Sequence, residues 1–128
     1  MNSLFHILKF PALVLFVNIV FEAKGIYYAL PWVDMPMHFL GGVSIGFAGI
    51  AFLAFLRTRG FVSEMPFLLH AFLIMSFVGL AAVSWELWEF AADFMLNKHL
   101  QIDLFDTMGD MFFGFLGGFV LSILHRIR

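Results

Sequence analysis

The chain has 128 residues, of which 62% are hydrophobic and 12% charged, with a mean hydropathy of +0.98. That charged share is about half of what a soluble domain carries. The formal net charge is −2 and no basic stripe is present to neutralise phosphates, which excludes nucleic acid as a partner. With no cysteine, disulfides, thiolate metal sites and cysteine nucleophiles are excluded as well.

Long apolar runs separated by short polar joints predict an all-α fold, a polytopic transmembrane bundle of about four helices with short interfacial loops. One integral membrane domain covers 1–128. The first span covers about 4–21, with Pro11 near its start and Asn18 toward its end. MNSLFH lacks a basic n-region and no A-x-A site follows, so this reads as a retained helix and not a signal peptide. The connection KGIYYALPWVDMP carries Tyr27, Tyr28 and Trp32, aromatics suited to the membrane–water interface. Pro31 and Pro36 keep it from forming a long helix, and an interfacial or shallow re-entrant loop is expected to deliver Asp34 to the second span.

The second span covers about 37–56, just after Pro36, where proline suits a first helical turn. The third covers about 66–90 and the fourth about 107–124. Each approaches the ~20 residues needed to cross a bilayer core. Four spans put both termini and the second-to-third connection on one side, with Lys9, Arg57, Arg59, Arg126 and Arg128. Lys24 and Lys98 fall on the other, so five basic residues against two place both termini in the cytoplasm. Of the nine acids only Glu64 falls on the basic side, which polarises the protein across the membrane.

The acids are patterned. Glu86, Glu89 and Asp93 stand at i, i+3 and i+7, which aligns them on one helix face, and Asp103, Asp106 and Asp110 repeat the spacing across the loop. Asp34 and His38 are four apart and share a face too. The stripes continue as small residues, His38 into Gly42 and Gly46, Asp110 into Gly114 and Gly118. Such spacing lets helix backbones approach closely in lipid, within one chain or between chains. The plain alternatives are solvated acids among headgroups, with Asp103, Asp106 and Asp34 acting as helix caps.

No Lys or Arg sits inside the cluster, Lys98 being the nearest. Carboxylates this close therefore either carry protons or bind cations. Oxygen-rich ligands suit Mg²⁺, Mn²⁺ or Ca²⁺. The expected ligand set is Asp34, His38, Glu86, Glu89, Asp93, Asp103, Asp106 and Asp110, with His38 also the candidate acid/base. A di-iron bundle would show two Glu-x-x-His pairs, whereas here both partners are acids. His6, His70, His99 and His125 read as structural or interfacial, and Trp85 and Trp88 as interfacial anchors. No haem, flavin, nucleotide or nucleophile-elbow pattern is found.

DMPMHFLGG (34–42), WELWEF (85–90) and DLFDTMGDMFFGFLGG (103–118) resemble the YjdF-like family of inner-membrane proteins of unknown function, itself similar to VanZ-like proteins. The resemblance spans most of 34–118. It implies His38, Glu86, Glu89, Asp103, Asp106, Thr107 and Asp110 as the family-type polar set, with Asp34 closer to the VanZ-like version.

Three functions compete. The first is an inner-membrane protein binding a divalent cation and a lipid phosphate or other polar headgroup at the non-cytoplasmic face. It lacks an arginine for the phosphate. The second is a small subunit or assembly factor whose glycine-faced helices meet other membrane proteins or a second copy. The third, ion or proton translocation, is weaker because the acids gather at one face.

Overall fold

The computed structural model describes residues 3–127, with side-chain environments from Phe5 to Arg126. Five α-helices and one 3₁₀ turn account for its regular structure: α1 Ser3–Ala23, α2 Ile26–Ala29, the turn Pro31–Val33, α3 Asp34–Thr58, α4 Phe67–Leu96 and α5 Leu104–Ile127. No strand occurs among the described residues. Helices α1, α3, α4 and α5 are each long and apolar enough to cross a membrane. At ~1.5 Å per residue, the 21 residues of α1 reach about 31 Å, the thickness of a bilayer core.

The boundaries follow local chemistry. Gly25, at φ +66°, breaks the chain after α1 in a left-handed conformation that side-chain-bearing residues seldom adopt. The 3₁₀ turn feeds straight into α3, which therefore starts at Asp34, three residues ahead of the predicted span. Pro36 falls within the first turn, where its missing N–H has no helical partner to lose. Helix α4 runs on to Leu96, past the predicted end at Phe90, because AADFML contains no breaker. Asn97 then stops it at φ +51°, the left-handed conformation asparagine tolerates best after glycine. Asp103 sets the start of α5, accepting a hydrogen bond from the Asp106 backbone N–H at 2.9 Å.

The most intimate helix pair is α3 with α5, and glycine makes it possible. A Cβ on Gly42 would overlap the Gly114 carbonyl, and one on Gly117 would overlap the Phe39 carbonyl. The two backbones touch directly, as small residues permit where lipid supplies no hydrophobic drive. Gly46 faces Leu121, while Gly118 faces Val78 of α4. The glycine rows seen in the sequence thus join three helices of one chain. Ile74 and Val78 of α4 are the largest fully buried side chains and wedge against this pair.

Helix α1 packs chiefly on α3. Most large apolar side chains remain exposed, Leu13, Phe72, Leu80 and Phe112 among them. In water these would form adhesive patches; in a membrane they are the surface that contacts lipid. Ser76, Ser84 and Ser122 return their hydroxyls to carbonyls one turn back, so none requires a distant partner.

The start of α1, the end of α5 and the α3–α4 connection lie at one end of the bundle. There Arg57 pairs with Glu64, His70 stacks on His125 at 5.6 Å, and Arg126 lies over the Phe67 ring. The acids other than Glu64 gather at or toward the opposite end.

Candidate functional site

The centre of the cluster is built from two helices. Asp34 opens α3 and His38 follows one turn later, so helical geometry stacks them with His38 Nε2 3.4 Å from Asp34 Oδ1. Asp110 enters from α5, 3.7 Å from the same nitrogen. One ligand atom from each of the three lies within 4.8 Å of the others. The direct backbone contact of Gly42 with Gly114 lies one turn deeper on each helix, directly below His38 and Asp110. Close packing of α3 and α5 is thus what lets residues 72 positions apart share a centre.

Burial is uneven. The Asp110 side chain is only 5% exposed, His38 15% and Asp34 29%, so the centre opens on the Asp34 side. Among the described residues the Asp110 carboxylate faces the His38 imidazole, which forms an ion pair with it only when protonated, and no buried side-chain oxygen or nitrogen is left without a partner.

Glu86 and Glu89 on α4 lie within electrostatic reach of His38 but are otherwise engaged. Glu86, itself buried, accepts a hydrogen bond from the Gln101 amide at 3.0 Å, and the same amide donates to its backbone carbonyl at 3.1 Å. Glu89 accepts from the Trp85 indole at 2.9 Å. They flank the centre without joining its ligand-distance group.

The remaining acids hold backbone. Asp93 accepts the N–H groups of Leu100 and Gln101 at 2.8 and 3.0 Å, folding the 97–103 loop back along α4. Asp103 caps α5, and Asp106 accepts the Ile102 N–H at 3.2 Å. Of the eight expected ligands, the structure therefore brings together Asp34, His38 and Asp110, sets Glu86 and Glu89 beside them, and places Asp93, Asp103 and Asp106 in turn-forming roles.

Three contributors were not expected in the site: Gln101 had no role from sequence, and Trp85 and Tyr27 read only as interfacial aromatics. Gln101 clamps Glu86, Trp85 holds Glu89, and Tyr27 donates from its hydroxyl to the Asn18 side-chain carbonyl, tying α2 to α1. Asn18 was the available signal, since an amide inside an apolar span needs a polar partner. Tyr27 is half-buried within reach of Asp34, Glu22 and Glu89. Burial first, then those three acids, push its hydroxyl well above the usual tyrosine range, so it stays a donor.

Beneath His38 a mostly apolar cleft of about 240 Å³ extends toward mid-membrane, lined by α1, α3 and α4 with Gly114 of α5 at its floor.

No curated protein and no solved structure matches the chain. The family model described as "Predicted membrane protein (DUF2238)" matches residues 3–128, almost the whole length. Four membrane-length helices agree with that description, and the chain belongs to the DUF2238 family of predicted membrane proteins.

Proposed function

We propose that this protein binds a divalent cation at Asp34, His38 and Asp110, and that the cation receives a phosphate or other polar headgroup there. The observation that carries the reading is the three-residue centre itself, two carboxylates and an imidazole from two helices with ligand atoms within 4.8 Å of one another. The donor set fits: carboxylates suit Mg²⁺, Mn²⁺ and Ca²⁺, and Mn²⁺ also accepts a nitrogen ligand. Three protein ligands leave coordination positions for an oxygen of the bound group, which answers the absence of an arginine for phosphate.

Five basic residues at the end bearing the termini, against Lys24 and Lys98 at the other, favour cytoplasmic termini and a non-cytoplasmic centre. The resemblance of 34–42, 85–90 and 103–118 to YjdF-like and VanZ-like proteins favours the bacterial inner membrane. Metal analysis of protein purified in mild detergent and supplied with Mg²⁺, Mn²⁺ or Ca²⁺ tests the reading. One equivalent of one of these ions is expected, lost in Asp110→Asn and kept in Asp103→Asn. Absence of all three from the parent chain refutes it.

A further inference from the structure

The cleft below the centre has three properties that together select a ligand. Its walls are apolar over most of their length: Pro11, Val14 and Leu15 on α1, Ile45 on α3, Val78 and Ala81 on α4. Along α3 it runs from Met37 to Ile45, about 12 Å at helical rise, between the centre and the middle of the span. It lies between α1 and α4 because α1 leans on α3, leaving the groove beside α4 uncovered.

In a membrane-spanning chain such a groove faces the bilayer at hydrocarbon depth. A polar solute crossing into it from that side would have to shed its water, whereas an acyl chain is already there. Its polar groups are Asn18, His38 and the Trp85 indole, which donates to Glu89, toward the end near the centre, and the Ser44 hydroxyl, which donates to the Gly41 carbonyl at 2.8 Å. An apolar trough ending at a charged centre matches a molecule with a tail and a headgroup.

We propose that the cleft between α1 and α4 receives an acyl chain of a phosphate-bearing membrane lipid, entering sideways from the bilayer, with its phosphate at the Asp34–His38–Asp110 centre. The headgroup half rests on the cation reading above. Without a cation, the acids repel phosphate; with one, they anchor it. The tail half rests on the cleft alone.

Gly41 offers a direct test. It lines the cleft, and a Cβ built there meets no atom within 4 Å, so a large side chain enters the groove without disturbing the α3–α5 contact. Ala81 lines the α4 wall and gives a second, independent obstruction. Native mass spectrometry of the purified chain released from phosphatidylglycerol nanodiscs, with and without Mn²⁺, reads retained lipid. Bound Mn²⁺ is measured in parallel on the same samples.

The parent chain is expected to retain one phospholipid, at least fivefold more with Mn²⁺ than without. Gly41→Phe and Ala81→Phe should each lose at least tenfold of that retention while binding Mn²⁺ as the parent does. Retention unchanged in both cleft variants, with helicity and elution unaltered, overturns the acyl site. Lipid that is retained without Mn²⁺ and lost in both cleft variants supports the tail site and overturns the phosphate anchor. Inorganic phosphate competing the lipid away as effectively as free phosphatidylglycerol overturns the lipid as the source of the phosphate.

Discussion

Gly42 of α3 and Gly114 of α5 meet backbone to backbone, so closely that neither a side chain nor a lipid tail fits between them. One turn above them, His38 and Asp110 face each other at 3.7 Å. The centre and the tightest packing in the bundle are therefore a single construction, and a change in one is expected to appear in the other.

Gly42→Ala and Gly117→Ala force a methyl into a backbone carbonyl, and overpacking of this kind destabilises by about 1–3 kcal/mol. Gly41→Ala and Gly109→Ala, whose Cβ positions meet nothing within 4 Å, should be neutral or slightly stabilising through gained helix propensity. Thermal unfolding in detergent checks the contrast. Equal losses at Gly41 and Gly42 would count against the close α3–α5 approach.

The 97–103 loop is held by side chains, with Asp93 taking two of its N–H groups and Gln101 bridging back to Glu86. Asp93→Ala should speed hydrogen exchange at Leu100 and Gln101 by tenfold or more, matching about 1.4 kcal/mol of lost local protection. Gln101→Ala should leave the Asp93 bonds in place and release Glu86. Exchange mass spectrometry of peptides covering 97–103 distinguishes the two variants.

Tyr27 gives a pH prediction of definite sign. Its folded hydroxyl holds its proton beyond the ordinary value of about 10, so the unfolded chain loses that proton first as pH rises. Stability tied to Tyr27 is intact below pH of about 10 and declines as pH rises toward the higher folded value. In a Tyr28→Phe background Tyr27 is the sole tyrosine, and its tyrosinate absorbance should stay low above that pH until detergent or heat unfolds the chain. Ionisation in the usual range with the fold intact would contradict the half-buried hydrogen bond to Asn18.

Much of this architecture was legible in the sequence. Hydropathy and length delimited four spans, and the period of 3.6 residues aligned Asp34 with His38 and Glu86 with Glu89. The pairing of α3 with α5 was implicit in the rows His38–Gly42–Gly46 and Asp110–Gly114–Gly118. The division of labour among the acids was legible only in part. Capping by Asp103 was among the alternatives its place before α5 offered, and it does cap; Asp93 carries the same side chain as Asp110, and only the course of the loop decides that backbone N–H groups reach it. Gln101 was missed for the same reason: its target lies 15 residues back, across a loop with no regular period.

Asp103→Ala removes a helix cap and should lower stability by about 1 kcal/mol. Because Asp103 lies outside the ligand-distance group, cation affinity should stay within threefold of the parent. Denaturation monitored by helicity, together with Mn²⁺ titration on the same preparation, reads both quantities. A tenfold loss of affinity at matched stability would move Asp103 into the centre.

The proposed site requires one cation shared by the imidazole of α3 and the carboxylate of α5. Pulsed electron paramagnetic resonance on Mn²⁺-loaded protein reads nitrogen coordination directly. A single bound Mn²⁺ with nitrogen coupling, lost in His38→Gln and absent with the ion itself in Asp110→Asn, is the predicted result. Mn²⁺ bound without nitrogen coupling, or bound equally well by Asp110→Asn, would contradict the centre drawn here.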